Sequence, residues 1–471
     1  MAQVKPLPLH LALLLALSAP AAFAQDATKA DQAHVLMGQG DAQAAMLMMR
    51  EHVAEHPGDG AARMDLARYL AWNGDYAQAE KVLLADPAAA DSAEGRALHA
   101  YILAGAGRMR GARGFDAPLL TDAAQAFQAH YNEAIALSLG TRPAMADANV
   151  AAARALKPGK DVDDLEKRVW VRKASYLRFG IPYYWSSDEL SSFQPTLSGE
   201  YAVNQALRLT GELGHWTHEA DGDLNPYQAI GGGGIDEDRV LLGLRYAPTE
   251  YTEVAVAVGH SSLPGDGSTL WRLRGDAIFS DAFSASLAFE GDRQAASPRS
   301  LSLGITRNSG ELQLHFTPDF NWTGDAWLRR DDYSDDNSRT DVILALRRAA
   351  VRKPKLLLDL GGVVEHQHYD HYTLNGYYAP DNYRRYGLTA HAYIGLGADR
   401  GLALHAVLGR QRDETFDSWT SANDLDATLI LGALSTWETR ITAAYSQRAL
   451  NTGAYEGFFV GATITRRFGS P

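Results

Sequence analysis

Charged side chains alternate with apolar ones in several segments of the second half of the chain. Arg272, Arg274 and Asp276 are interleaved with the apolar Trp271 and Leu273, a period of two that is typical of a β-strand. In a closed barrel, the polar face would line an aqueous lumen and could bind a polar polymer, whereas a single such charge could also be a solvated wall residue paired across strands. The predicted lumen-lining residues are Arg208, Arg245, Arg272, Arg274, Asp276 and Glu290.

Aromatic residues cluster in the same part of the chain and could bind sugars, because a sugar ring stacks its apolar C–H face on an aromatic ring. The predicted glycan-contact residues are Tyr183, Tyr184, Trp185, Tyr377 and Tyr378. The alternative is an interfacial aromatic girdle, which the amphipathic chemistry of Tyr and Trp favours.

Three histidines near Asp370 have the residue type of a metal ligand: His366, His368 and His371. Imidazole binds zinc, copper or nickel, but a run of histidines in a loop is more often unspecific. No G-x-S-x-G nucleophile motif selects a catalytic set among the many Ser, His and Asp residues. We therefore predict no metal, no cofactor and no enzymatic activity.

The composition limits the compartment and the partners. Lys5, the apolar residues 9–17 and the Ala22-Phe23-Ala24 site predict a signal peptide over residues 1–24. The chain contains no cysteine, which excludes disulfides and a lipid-modified N-terminal cysteine. A net charge of −13 argues against a nucleic-acid partner. A mean hydropathy of −0.25 suits a membrane barrel, in which only alternate strand residues face lipid.

Residues 25–168 are predicted to form tetratricopeptide-like helical repeats, three to four helix pairs in all. Gly40-Asp41 recurs as Gly74-Asp75, 34 residues later (74 − 40), the period of this repeat. The residues that carry the repeat signature are Leu66, Ala67, Gly74, Asp75, Tyr76 and Ala79. Such an array is typical of a docking surface for a protein, and a spacer or cap under a barrel is the alternative.

Residues 169–468 are predicted to form an outer-membrane β-barrel, so that the fold class is α + β. Connections such as Thr249-Glu250 are short, whereas those at Thr217–Asp238 and Glu365–Asn382 are long. This asymmetry and a final strand that ends on Phe468 are typical of such barrels. Seventeen segments resemble strands, and because a closed bacterial barrel needs an even number, we expect 16 strands, with 18 as the alternative.

Repeats followed by a barrel of about 16 strands resemble the outer-membrane exporters of exopolysaccharides, the group of cellulose synthase operon protein C and the poly-N-acetylglucosamine porin. The segment Gly376-Tyr377-Tyr378-Ala379-Pro380 is similar to the G-Y-F-S-P segment of the cellulose-type members, with Tyr378 in place of Phe and Ala379 in place of Ser. Those exporters carry many more repeats than this chain.

The resemblance implies passive export of a cellulose-like or poly-N-acetylglucosamine-like polymer through the outer membrane. The repeats would then dock periplasmic or synthase-complex proteins, and the barrel would contact outer-membrane lipid. The alternative is a barrel-anchored binding or scaffold protein, or a surface receptor, without transport. Neither function requires an enzymatic step.

Overall fold

The structure, a computed structural model, describes residues 28–223, 225–449 and 456–470. The predicted signal peptide lies outside the described residues. The chain divides into two compact units, residues 1–133 and 134–471. The domain boundary predicted after residue 168 stays a prediction. No helix within the described ranges is both long and apolar enough to cross a membrane.

The first unit is helical, and its consecutive helices pack as pairs. Its helices are α1 (Lys29–Gly38), α2 (Ala42–Glu55), α3 (Gly60–Trp72), α4 (Tyr76–Leu84), α5 (Pro87–Asp91), α6 (Ala93–Gly105), α7 (Met109–Asp116) and the start of α8 (Ala126–Ser138). Extensive contacts join α1 to α2, α3 to α4 and α6 to α7. The predicted pairing of short helices is therefore confirmed.

The turn inside each pair depends on a glycine and the residue after it. The left-handed glycines are Gly40, Gly74 and Gly107, with φ of +86°, +81° and +83°. Asp41 and Asp75 follow the first two and cap the next helix by accepting a backbone hydrogen bond. Arg108 follows the third and makes no such bond. The third pair therefore keeps the turn of the repeat but has lost its cap.

The second unit contains a closed antiparallel barrel of 16 strands. Two helices, α9 (Asp147–Leu156) and α10 (Lys160–Lys173), precede the barrel, and α11 (Pro298–Ser302) lies between β7 and β8. The strands are β1 (Tyr176–Ser186), β2 (Leu190–Phe193 and Thr196–Ala202), β3 (Leu207–Ala220), β4 (Ile235–Thr249), β5 (Thr252–Leu263), β6 (Asp266–Ser280), β7 (Phe283–Arg293), β8 (Thr306–Phe316), β9 (Trp322–Tyr333), β10 (Ser338–Lys353), β11 (Leu356–Tyr369), β12 (Tyr383–Gly395), β13 (Arg400–Arg412), β14 (Thr420–Ser421 and Asp424–Leu431), β15 (Trp437–Ser446) and β16 (Gly457–Arg467). Pairing of β1 with β16, from Tyr176 opposite Arg467 to Ser186 opposite Gly457, closes the barrel.

Two of the barrel strands are interrupted by a short break. In β2 the two segments keep one register against β1 on either side of Pro195, whose nitrogen has no hydrogen to donate. In β14 the break falls at residues 422–423 and the register against β13 is again unchanged. The 18 strand segments therefore form 16 barrel strands, as expected. Residues 317–321, which include Pro318, form the turn between β8 and β9.

The wall has an apolar outer face and a polar inner face. In β1, Phe179, Ile181 and Trp185 are exposed on the outer side, while Arg178 and Tyr184 alternate with them. Other exposed outer-face residues are Leu242, Val258, Leu273, Leu388, Leu408 and Val460. An apolar belt is the surface that a bilayer requires around a barrel. Closure of the barrel also leaves no strand edge unpaired in lipid.

The connections at the two ends of the barrel differ in length. At the end where α10 enters β1, the turns are short, for example residues 250–251, 281–282 and 354–355. At the other end, three loops are long: residues 221–234, 294–305 and 370–382. We call these the outer loops. The predicted asymmetry of the loops is confirmed.

Candidate functional site in the barrel interior

All six predicted lumen-lining residues occupy positions that alternate with the exposed outer belt. Arg245, for example, lies between the exposed Leu244 and Tyr246. It donates hydrogen bonds to Glu200 at 2.6 Å and to Glu253 at 2.7 Å. Both carboxylates are almost fully covered, so the guanidinium supplies the hydrogen bonds that these groups need away from water.

The other predicted residues are paired in the same way. Arg208 binds the second oxygen of Glu200, so that one carboxylate joins β2, β3 and β4. Arg274 donates to Asp276 at 2.8 Å. The remaining pairs are Arg272 with Glu212 at 3.4 Å, and Glu290 with Arg307 at 2.9 Å and Arg329 at 3.2 Å. The pairing across strands that the sequence offered as an alternative is therefore present, and a role in substrate passage stays a prediction.

Sequence reasoning missed three further ion networks on the inner face. Glu237, Arg239 and Asp292 form the first, with N–O distances of 2.8 and 2.7 Å. The others join Asp331 to Arg329 and Arg339, and Glu365 to Arg385 and Arg448. Alternation alone could have placed most of these side chains inward, because each network residue that belongs to a strand lies between two outward-facing neighbours.

A cavity of about 610 Å³ lies in the interior of the barrel, near the long-loop end. Tyr184 and Tyr378 line it, together with charged groups of the networks just described. Of the other predicted glycan-contact residues, Tyr183 and Trp185 project to the apolar outer face, and Tyr377 is buried in a tyrosine cluster. The structure thus brings two of the five together. The outward pair has the position expected of a girdle.

The outer loops are hydrogen-bonded to one another. Ser297 Oγ donates to the Gly376 carbonyl at 2.6 Å, and Arg299 Nε donates to the Leu374 carbonyl at 2.9 Å. The Arg299 amide also donates to the Tyr227 carbonyl at 2.9 Å. Three loops that are distant in sequence therefore form one layer at this end.

The tyrosine cluster anchors loop 370–382. The ring of Tyr377 stacks on Tyr333, with centroids 5.0 Å apart, and its hydroxyl donates to Asp335 at 2.9 Å. Burial raises the pKa of the Tyr377 hydroxyl above its usual range. The hydroxyl therefore stays protonated and remains a hydrogen-bond donor.

At the other end, the chain before the barrel is tied to the wall. Thr141 Oγ1 donates to the Thr249 carbonyl at 2.7 Å, and Arg142 donates to the Pro248 carbonyl at 2.6 Å. Arg208 also donates to the Lys173 carbonyl at 3.0 Å, at the end of α10. Arg208 thus lies at the short-turn end of the barrel.

The histidines near Asp370 do not converge. His368 Nδ1 lies 3.5 Å from Asp381, and His366 is on the outer face of β11, opposite Arg384. Among the residues that the structure describes, no three His, Cys, Asp or Glu side chains form a group that could hold a metal.

Comparison with known proteins matches each unit separately. A family model described as tetratricopeptide repeat matches residues 36–102. A solved chain titled "Bacterial polysaccharide outer membrane secretin" has a TM-score of 0.53 and 14% identity, covering 63% of this chain and 99% of that one. CdiB from Acinetobacter baumannii (TM-score 0.40, 7% identity, 63% and 60% covered) and Pseudomonas putida OprB (0.33, 12%, 64% and 94%) are too dissimilar to carry an argument. No curated protein matches the chain significantly.

The closed barrel with an apolar belt and a charged interior defines an outer-membrane β-barrel protein. The likeness to the secretin, at 14% identity, shows the barrel fold. The N-terminal match adds tetratricopeptide repeats. The predicted combination of repeats and a 16-stranded barrel is confirmed.

Proposed function

We propose that the barrel lets an extracellular polysaccharide pass outward through its lumen. The observation that carries this proposal is the inner wall, on which arginines and carboxylates are paired with each other within strands and between them. Paired charges present many hydrogen-bonding groups but a weak net field. Such a wall suits a neutral or weakly charged polymer, cellulose-like or poly-N-acetylglucosamine-like.

We further propose that the repeat unit lies in the periplasm and docks proteins there, such as the synthase complex or a polymer-modifying enzyme. Short turns are the periplasmic feature of outer-membrane barrels, and the chain enters the barrel at the short-turn end. The long loops would then face the exterior. No catalytic step is assigned to the chain.

Deletion of the gene, with secreted polymer and biofilm matrix measured, tests the export role directly. Loss of secreted polymer, restored by the full-length gene, is the expected result. Unchanged polymer in the deletion strain would contradict the proposal.

A second candidate, a barrel-anchored receptor or scaffold, is favoured by the hydrogen-bonded layer of outer loops. Conductance across a planar bilayer separates the two functions. Export predicts that shortening residues 371–381 increases ion conductance, because this loop is part of the layer. A barrel that passes no ions, with or without this loop, would favour the receptor or scaffold function.

A further inference from the structure

The outer face of β12 and β13 carries a cluster of arginines near the long-loop end, beside His366 of β11. Pairing between strands places His366 opposite Arg384, and Arg384 opposite Arg412. Arg410 lies on the same face of β13, two residues before Arg412, and is opposite Tyr386. All of these side chains, including that of Tyr386, are exposed. Residues directly opposite on one face have Cβ atoms about 5 Å apart, so that like charges there repel each other.

These arginines lack the partners that their inward-facing neighbours have. Within the described ranges, no carboxylate oxygen lies within 4.0 Å of the guanidinium of Arg384, Arg410 or Arg412. Among the residues that the structure describes, Arg384 donates only to the Asn382 side chain at 2.9 Å, and Arg410 only to the Trp419 carbonyl at 3.2 Å. Three guanidinium groups therefore face the membrane boundary with their charge uncompensated.

The nearby carboxylates are occupied elsewhere. Asp381 lies 3.5 Å from His368, and Glu414 accepts hydrogen bonds from the backbone amides of Asp381 and Asn382. The inward Arg385, between Arg384 and Tyr386 in sequence, is paired with Glu365 and Asp424. The contrast between the two faces of one strand indicates that the outward cations have an external anion as their partner.

An apolar groove begins directly beside the cations. Its volume is about 780 Å³, and Leu346, Val364, Leu388 and Leu408 line it, with Arg410 at one end. Gly362 opens the floor, because a Cβ there would meet only the Gly387 carbonyl at 3.7 Å. A groove of this lining, on a face turned to lipid, accepts an acyl chain.

We propose that this patch binds a phosphorylated saccharolipid of the outer leaflet, with phosphates on the cations and an acyl chain in the groove. Arginine binds phosphate through paired, charge-assisted hydrogen bonds, which would also relieve the repulsion between Arg384 and Arg412. Arg384 and Arg412 lie on adjacent strands about 4.8 Å apart, and Arg410 lies two residues, about 7 Å, from Arg412 along β13, an area suited to a headgroup with two phosphates. The inference rests on the proposed orientation and not on polymer export.

The test is titration of the full-length protein in detergent with lipid A, read by native mass spectrometry. Arg384→Gln with Arg412→Gln is expected to weaken binding about tenfold or more, because each lost charge-assisted contact has an effect of that order. Gly362→Leu, which keeps every charge and fills the groove, is expected to weaken it several-fold. Arg348→Gln, on the outer face at the other end and 5.7 Å over the Trp322 ring, is the matched control and should bind as the parent does.

Four outcomes would overturn the proposal: unchanged binding by the double variant, unchanged binding by Gly362→Leu, equal binding of phosphatidylglycerol, and equal binding of inorganic phosphate. Heat-modifiable gel mobility verifies that each variant is folded. The orientation has a separate readout, since the chain has no cysteine of its own. Asp381→Cys should react with a membrane-impermeant maleimide on whole cells, and absence of labelling would contradict the orientation.

Discussion

A buried carboxyl in the helical unit makes the stability of that unit depend on pH. The Asp116 side chain, at the end of α7, is fully buried and accepts a hydrogen bond from Asn132 Nδ2 at 3.2 Å. The pKa of Asp116 is raised to about 8, chiefly by burial, while the hydrogen bond from Asn132 lowers it and the nearby Glu133 adds to the rise. Its Oδ2 atom has no hydrogen-bond partner in the described structure. The folded unit therefore holds this carboxyl protonated at neutral pH.

The direction and the size of the change in the free energy of unfolding with pH follow from two pKa values of Asp116. The pKa is 3.8 for the ordinary side chain and about 8 in the fold, so that the stabilisation is complete below 3.8 and is lost as the pH rises through 8. Within this window, each pH unit lowers the free energy of unfolding by about 1.4 kcal/mol. Raising the pH from 5 to 7 therefore lowers it by about 2 to 3 kcal/mol, a large part of the stability of a small unit.

The assay is urea unfolding of the full-length protein in detergent, followed by circular dichroism at 222 nm, which reports the helices. The parent protein should lose stability between pH 5 and 7. Asp116→Asn, which has the same shape and no charge, should remove this loss and be more stable at pH 7. Asp91→Asn, at an exposed residue of the same unit, should leave the pH dependence unchanged. An Asp116→Asn variant that keeps the slope of the parent would refute the reasoning.

Three further predictions concern packing, capping and the inner wall. Gly105→Ala should lower the free energy of unfolding of the helical unit by about 1 to 3 kcal/mol, because its Cβ would lie 2.6 Å from the Tyr76 ring; an unchanged urea midpoint would contradict this. Asp59→Ala should cost about 1 kcal/mol by removing the cap of α3, and Asp59→Asn should not. The backbone hydrogen bond from Ala62, with His52 adding to it, lowers the pKa of Asp59, so this stabilisation should disappear as the pH falls below 3.8. Arg239→Met should destabilise the barrel by about 3 to 5 kcal/mol, measured by its unfolding midpoint, because Glu237 and Asp292 both lose their ion pair; Glu237→Gln together with Asp292→Asn should restore most of the loss.

Much of the candidate site could be predicted from local pattern. Alternation places Arg245 on the face opposite Leu244 from the sequence alone, because the period of a strand depends only on its own backbone. The same rule could have placed Glu237, Arg239 and Asp331 inward. It could not have paired them, because Arg239 and Asp292 are 53 residues apart and meet only through strand order and register.

Local sequence pattern was enough to predict the class of the protein. The number of barrel strands and the pairing of the inward charges depend on the tertiary structure. Helix turns recur where Gly40 and Gly74 recur, since only local backbone geometry is involved. The number of strands was decided by register, which carries β2 through Pro195 without a new turn. The inward charges that alternation predicted as lumen-lining residues are members of ion networks. Those networks, like the burial of Asp116, exist only where closure of the fold brings distant segments together.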